Sequence, residues 1–197
     1  GLYARWGGST ARTRLCSCGE KVLAHPAGGL HSWRVGHTPG GRAAHMAKGL
    51  FFPGGRRDPG DGDSVATALR ETREELGLAL GPPNVWGQLR TLPDGRGQMV
   101  APVVANLGPL EDLMLNPNPD EVQEVFTLPL AHLLREENQG YTHFRTAGRY
   151  SYTLPVFLNG PHKVWGLTAI ITELTLELLA PDRYQAVAEK LHQLPRC

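Results

Sequence analysis

The chain has 197 residues, 41% of them apolar, enough to supply the core of one domain. Its 20 Lys and Arg nearly balance 19 Asp and Glu, for a formal net charge of +1, but the charge is split along the chain. Residues 1–50 hold seven bases and a single acid, Glu20, which leaves 13 bases against 18 acids beyond them; that net −5 argues against nonspecific nucleic-acid binding as the main task.

Residues 1–50 are rich in Gly, Arg and His, with only short apolar runs such as Val22–Ala24, and read as a basic, poorly ordered segment. Their acid-poor, Arg-bearing composition resembles a mitochondrial transit segment diluted by His and Gly. Cys16 and Cys18 lack the second ligand pair that a zinc site needs, and three cysteines in all fit a reducing compartment better than a disulfide framework. No apolar run approaches the ~18–20 residues of a membrane span, so no membrane partner is expected. The C-terminal Leu194-Pro195-Arg196-Cys197 is not a peroxisomal signal.

The pattern changes at Leu50–Pro53, an apolar run that breaks at Gly54-Gly55. A loop with Asp58, Asp61 and Asp63 follows, and Asp63 or Ser64 can cap the helix that comes next. At 100° per residue Val65, Ala68, Leu69, Thr72 and Leu76 form a mostly apolar stripe expected to pack on a sheet, and Gly77 suits the residue after the helix. Glu71 and Glu75 lie one turn apart beside that stripe, with Glu74 adjoining Glu71. Two such carboxylates about 5 Å apart repel by roughly 3 kcal/mol at an effective dielectric near 20. Arg70 offsets Glu74 as its i,i+4 neighbour, and the charge left over invites a divalent cation such as Mg²⁺ or Mn²⁺, which prefers carboxylate oxygens. Taken alone, the same residues also describe a solvated Glu/Arg helix with no ligand.

Downstream, Val85–Leu89 and Met99–Leu107 read as strands joined by a turn at Pro93-Asp94-Gly95, with Pro102 implying an edge position or a bulge. Asn116–Pro119 is a loop, and Glu121–Thr127 reads as a strand that would carry both Glu121 and Glu124. A short helix over Pro129–Arg135 precedes an antiparallel pair, Tyr141–Phe144 with Arg149–Leu158, and a short strand His162–Trp165. A second long helix over Leu167–Leu179 places Ile170, Ile171, Leu174 and Leu178 on one side, and Asp182 caps a last helix, Arg183–Leu194.

The stretch from Gly55 to Leu78 resembles the signature box of the Nudix hydrolases: Gly55 fits its first glycine, and Arg70-Glu71-x-x-Glu74-Glu75-x-Gly77-Leu78 its second half. Asp61 stands where that box has Glu, eight residues separate it from Arg70 where the box has seven, and Thr72 replaces an aliphatic residue. The Asp-Pro-x-Asp form with longer spacing is similar to the branch of the family that hydrolyses coenzyme A, and the likeness runs over roughly 51–180. The resemblance implies an α/β fold, an α/β/α sandwich with a mixed sheet over 51–180, followed by a C-terminal tail at 181–197. Gly41–Lys48 does not match the signature that leads into Phe52-Pro53-Gly54-Gly55 in that branch, so the N-terminal strands are expected to be missing or replaced.

The resemblance further implies a mitochondrial, metal-dependent diphosphatase acting on coenzyme A or acyl-coenzyme A. Glu71, Glu75 and Glu74 would hold Mg²⁺ or Mn²⁺, Arg70 would orient a box glutamate, and the Gly54 or Gly55 carbonyl would complete the site. Asp61 stands between a ligand role and a supporting one. Glu121 and Glu124 are candidates for a more distant acid, and a solvated face explains them equally. His143 and His162 are open to phosphate contact or ordinary hydrogen bonding, Arg145 and Arg149 to the 3′-phosphate or solvent, and Trp165 is expected in the core. Hydrolysis of another nucleotide diphosphate, such as NADH or ADP-ribose, and an inactive Nudix-like binding module are the competing readings.

Overall fold

The computed structural model describes residues 20–25, 29–35, 50–94, 97–146 and 150–186, with backbone alone at 20–25, 29–35, 50–51, 145–146 and 150–151. Three strands, β1 (Glu20–His25), β2 (Gly29–Val35) and β3 (Leu50–Phe51), precede helix α1 (Ser64–Leu76). Then come β4 (Val85–Gln88), β5 (Leu92–Pro93), β6 (Met99–Val100), β7 (Pro102–Ala105) and β8 (Glu124–Leu128). Helix α2 (Leu130–Leu133), the hairpin β9 (Gln139–Thr146) with β10 (Tyr150–Phe157), and helix α3 (Gly166–Leu179) complete the order.

The main sheet is mixed, in the order β3-β2-β1-β7-β4, with β8 also paired to β2. Strand β1 runs parallel to β7, Lys21 opposite Val103, and the other pairings are antiparallel. Leu30 pairs with both Ala24 and Leu128, and Arg34 with both Phe51 and Val125. Strands β1 and β3 therefore share one edge of β2 at opposite ends, and β8 takes the other. The N-terminal part of the sheet, expected to be missing or replaced, is supplied by residues 20–25 and 29–35, so the sheet reaches back past residue 51. Its partners β7 and β8 lie some eighty to a hundred residues downstream, and the only apolar run the sequence shows there, Val22–Ala24, is too short to mark a strand in advance.

Helix α1 contacts β1 and β7, and α3 contacts β10 and β1. Phe52, Leu76, Leu133, Phe157 and Ile171 are fully buried and join one core that draws on both helices and on the sheet. Asp63 caps α1, its Oδ1 accepting from the Ala66 N–H at 2.7 Å. Gly77 ends it at φ 69°, where a side chain would be strained and a Cβ would press on Asn116. The buried face of α1 holds Thr67, Ala68, Thr72, Glu75 and Leu76, rotated from the expected stripe so that Val65 and Leu69 are only half-buried.

Several expectations are corrected. Pro102 begins an interior strand with every residue buried; it sits there because a first-strand position asks little of the missing N–H, while its carbonyl accepts from Leu89 at 2.8 Å. Glu121 lies in a turn, where its N–H and that of Val122 both bond the Asn118 carbonyl, and β8 starts only at Glu124. The strand expected over His162–Trp165 reduces to one bridge between Phe157 and Val164. Trp165 is 39% exposed at the N-cap of α3, since that helix buries Leu167, Thr168, Ala169, Ile171, Thr172, Thr175 and Leu176 instead. Leu178, placed on the packed side from the sequence, is 65% exposed. Thr172 and Thr175 bury without cost to their hydroxyls by bonding the carbonyls four residues back, each at 2.8 Å. Residues 181–183 form a turn, and most of the expected last helix falls outside the described residues.

Candidate active site

Phe52, Pro53, Gly54 and Gly55 are all buried, and they carry the chain from β3 to the face of α1. At Gly55 an added Cβ would overlap the carboxylate of Glu71, so only glycine leaves that side chain its place. The loop then folds back on itself. Asp58 N–H donates to Asp61 Oδ2 at 2.9 Å, Asp61 N–H donates to the Asp58 carbonyl at 2.9 Å, and Arg57 donates to the carbonyls of Asp61 and Gly62. These ties set Asp61 against the helix, its side chain 8% exposed.

Arg70 occupies the centre. Its Nε and Nη2 donate to Asp61 at 3.1–3.3 Å, Nη2 also to the Arg56 carbonyl at 2.9 Å, and Nη1 meets Glu71 Oε1 at 3.0 Å and Glu74 Oε2 at 2.8 Å. The hydrogen bonds from Arg70 hold the Asp61 carboxyl at about 2, well below the usual range, outweighing the burial that opposes ionisation. Burial works against the Arg70 cation too, yet the hydrogen bond to Asp61 and the charge of Glu71 raise its pKa overall.

The three helix glutamates differ in environment. Glu71 is nearly enclosed, with 13% of its side chain exposed, Glu74 is 54% exposed, and Glu75 is completely buried. A fully enclosed carboxylate is the group whose ionised form gains most from a nearby cation. All of these donors are oxygens, the kind a hard divalent ion prefers, and the glycine cradle under Glu71 keeps one of them in place. Among the described residues no three acidic, His or Cys side chains are gathered as a ready metal cluster, and Arg70 lies among Asp61, Glu71 and Glu74, paired with each. The residues fit a divalent ion in kind, with the arrangement held by Arg70.

Asp58 sits 3.7 Å from Arg70, and Asp63 caps the helix. Glu124 bonds outside this group, 3.1 Å from His162, and Glu121 is in the turn before it. His143 pairs with Thr153 Oγ1 at 2.6 Å and meets Tyr141 edge-on. Arg149 and the Arg145 side chain fall outside the described residues. Sequence reasoning missed the ties made by Arg57 and by the strap over the end of α1, where Asn116 and Asn118 N–H donate to the Leu76 and Glu75 carbonyls, each at 2.9 Å. The strap bonds are between backbone groups, and nothing in the side chains announces them.

A family model described as the NUDIX domain matches residues 25–146. The mitochondrial coenzyme A diphosphatase of Homo sapiens is 63% identical over 136 residues, which cover 69% of this chain and 58% of that protein. The enzyme of the same name from Mus musculus is 58% identical over 147 residues, covering 75% and 70%. The matched region thus spans less than two thirds of the human relative. Among solved structures, a MutT/nudix family protein from Enterococcus faecalis aligns with a TM-score of 0.50 at 19% identity, over 86% of this chain and 65% of that one, a likeness of fold alone.

Proposed function

The chain belongs to the Nudix family, and from that premise we propose that it hydrolyses the diphosphate linkage of coenzyme A or its esters, releasing 3′,5′-ADP and a 4′-phosphopantetheine product. The observation that carries the proposal is the Arg70 group: Asp61, Glu71 and Glu74 held by one guanidinium, with the Glu71 carboxylate in the space that a side chain at Gly55 would fill. The named activity of the two mammalian relatives supports the substrate, and their names support a mitochondrial setting.

Nudix hydrolases generally need a divalent metal ion. We assign Mg²⁺ or Mn²⁺, held by Glu71, Glu74 and Glu75; when bound, such an ion neutralises diphosphate charge and lowers the pKa of a water. The chain itself contributes alignment. Arg70 fixes Glu71 and Glu74 and is itself anchored by Asp61 and the Arg56 carbonyl, so little is left to order when substrate arrives. The buried backbone at Gly54 and Gly55 forms the wall that the diphosphate would approach.

Purified protein with Mg²⁺ or Mn²⁺ should release 3′,5′-ADP from coenzyme A, and Glu75→Gln should abolish the release. Equal release by the variant would rule out the assigned role. Ranking coenzyme A, NADH and ADP-ribose by kcat/KM tests the choice of substrate within the family. A folded, inactive binding module is the second reading, favoured by the Arg70-filled acidic group and by the exposure of Glu74. Calorimetry showing coenzyme A binding without turnover or metal uptake would support it.

A further inference from the structure

Glu124 and His162 form a pair that the assigned chemistry leaves unused. His162 Nε2 lies 3.1 Å from Glu124 Oε2, and because a carboxylate only accepts, the ring proton belongs on Nε2. The ring also leans on Phe126, centroids 4.9 Å apart at 53°, so it is fixed from a second side. Its Nδ1 makes no hydrogen bond among the described residues, while 32% of the side chain is open to solvent. The result is an oriented imidazole with one unused nitrogen that is ready to share a proton.

We propose that His162, held by Glu124, receives a phosphate monoester of the substrate, namely the 3′-phosphate of coenzyme A. This rests on the reading of coenzyme A as substrate. A phosphate monoester has its second pKa near ~6, so close to neutral pH one proton is available to bridge it to Nδ1. The internal diphosphate, with no such ionisation left, offers that nitrogen nothing to share. The chain also ties the pair to the end of α1. Asn118 is bonded to the Glu75 carbonyl at the end of α1, and the Val122 N–H closes a turn on the Asn118 carbonyl at 2.8 Å. One such turn and two extended residues put Glu124 within about 13 Å of the end of the helix. In coenzyme A a single ribose separates the 3′-phosphate from the diphosphate, so this contact places His162 beside a diphosphate seated at the helix carboxylates.

Calorimetry of wild type, His162→Ala and Glu124→Gln with 3′,5′-ADP and with 5′-AMP tests the assignment directly. Wild type should bind 3′,5′-ADP the more tightly, and His162→Ala should lose about tenfold in that affinity, about 1.4 kcal/mol, while 5′-AMP changes less than about twofold. Glu124→Gln keeps an acceptor for Nε2–H and should lose less. In turnover, His162→Ala should raise KM for coenzyme A and spare dephospho-coenzyme A. Equal losses for both nucleotides, no loss for either, or no wild-type preference for 3′,5′-ADP would overturn it. Nucleotide binding is read without turnover, so failure to hydrolyse coenzyme A would remove the proposed function and still leave this contact decided. Unchanged melting temperatures confirm that the variants are folded.

Discussion

Gly55→Ala separates the placing of Glu71 from the stability of the fold. An ideal Cβ at position 55 would overlap the Glu71 carboxylate carbon and both its oxygens, and no backbone atom stands among the nearest neighbours. The group that must give way is the far end of a flexible side chain, so the stability cost is small. Overpacking costs about 1–3 kcal/mol in a tight core, and here the lower end applies, about 1 kcal/mol. For a chain of this size that corresponds to roughly 2–4 °C in melting temperature. Displacing Glu71 also breaks its 3.0 Å contact with Arg70 Nη1, so the carboxylate leaves the group assigned to the cation. Misplacing one charged group in a preorganised site typically costs about 10²–10³ in kcat. The assays are thermal denaturation and release of 3′,5′-ADP from coenzyme A. In a Glu71→Gln background, adding Gly55→Ala should produce little further loss, because both changes remove the same carboxylate. Retained kcat in Gly55→Ala, or two losses that multiply in the double variant, would refute the argument.

Asp61→Asn tests the electrostatics. The carboxyl is depressed from its ordinary value of 3.8 to about 2 in the folded state, so its contribution is complete above about pH 4 and is lost as pH falls through about 2. That contribution is of order 2 kcal/mol, and the gap in unfolding free energy between wild type and Asp61→Asn should close between about pH 4 and pH 2. A gap that stays constant over that range would show that Arg70 does not hold the ionised form. Gly77→Ala should be the more damaging glycine change for stability. It places a side chain at φ 69° and a Cβ 2.8 Å from Asn116 Cβ and 2.9 Å from its carbonyl oxygen, a neighbour that includes backbone. Left-handed strain alone costs about 1–2 kcal/mol, so denaturant titration should show a larger loss than for Gly55→Ala. The reverse order would show that the strap over the helix end yields easily.

The legible parts of this chain are those fixed by local chemistry. Asp63 as a cap, Gly77 as a stop and the carboxylate spacing of α1 all depend on residues within one or two turns of each other, and each is where its type and position put it. The helix α3 shows where that reasoning stops. Its leucines and isoleucines suggest a packed side through Leu178, while the structure buries three threonines, two of which, Thr172 and Thr175, have hydroxyls silenced by their own helix. Threonine reads as polar in a hydrophobic pattern, yet once bonded to the carbonyl four residues back it is close to an apolar side chain. Strands β1 and β2 fail for another reason: they are specified by partners far away, Lys21 by Val103 and Trp33 by Phe126.

The site divides in the same way. Arg70, Glu71, Glu74 and Glu75 lie on six consecutive positions, and their relation is a property of the helix. The sequence leaves Asp61 between a ligand role and a supporting one, because its role depends on how Arg57 and Asp58 close the loop before it. Once that closure is seen, the shorter side chain and the extra residue of spacing work together. A tight loop presses Asp61 directly onto the Arg70 guanidinium, where it anchors the residue that aligns Glu71 and Glu74. The departure at Asp61 is thus compensated by the loop that carries it, and a variant lengthening that loop should loosen Arg70 before it disturbs the core.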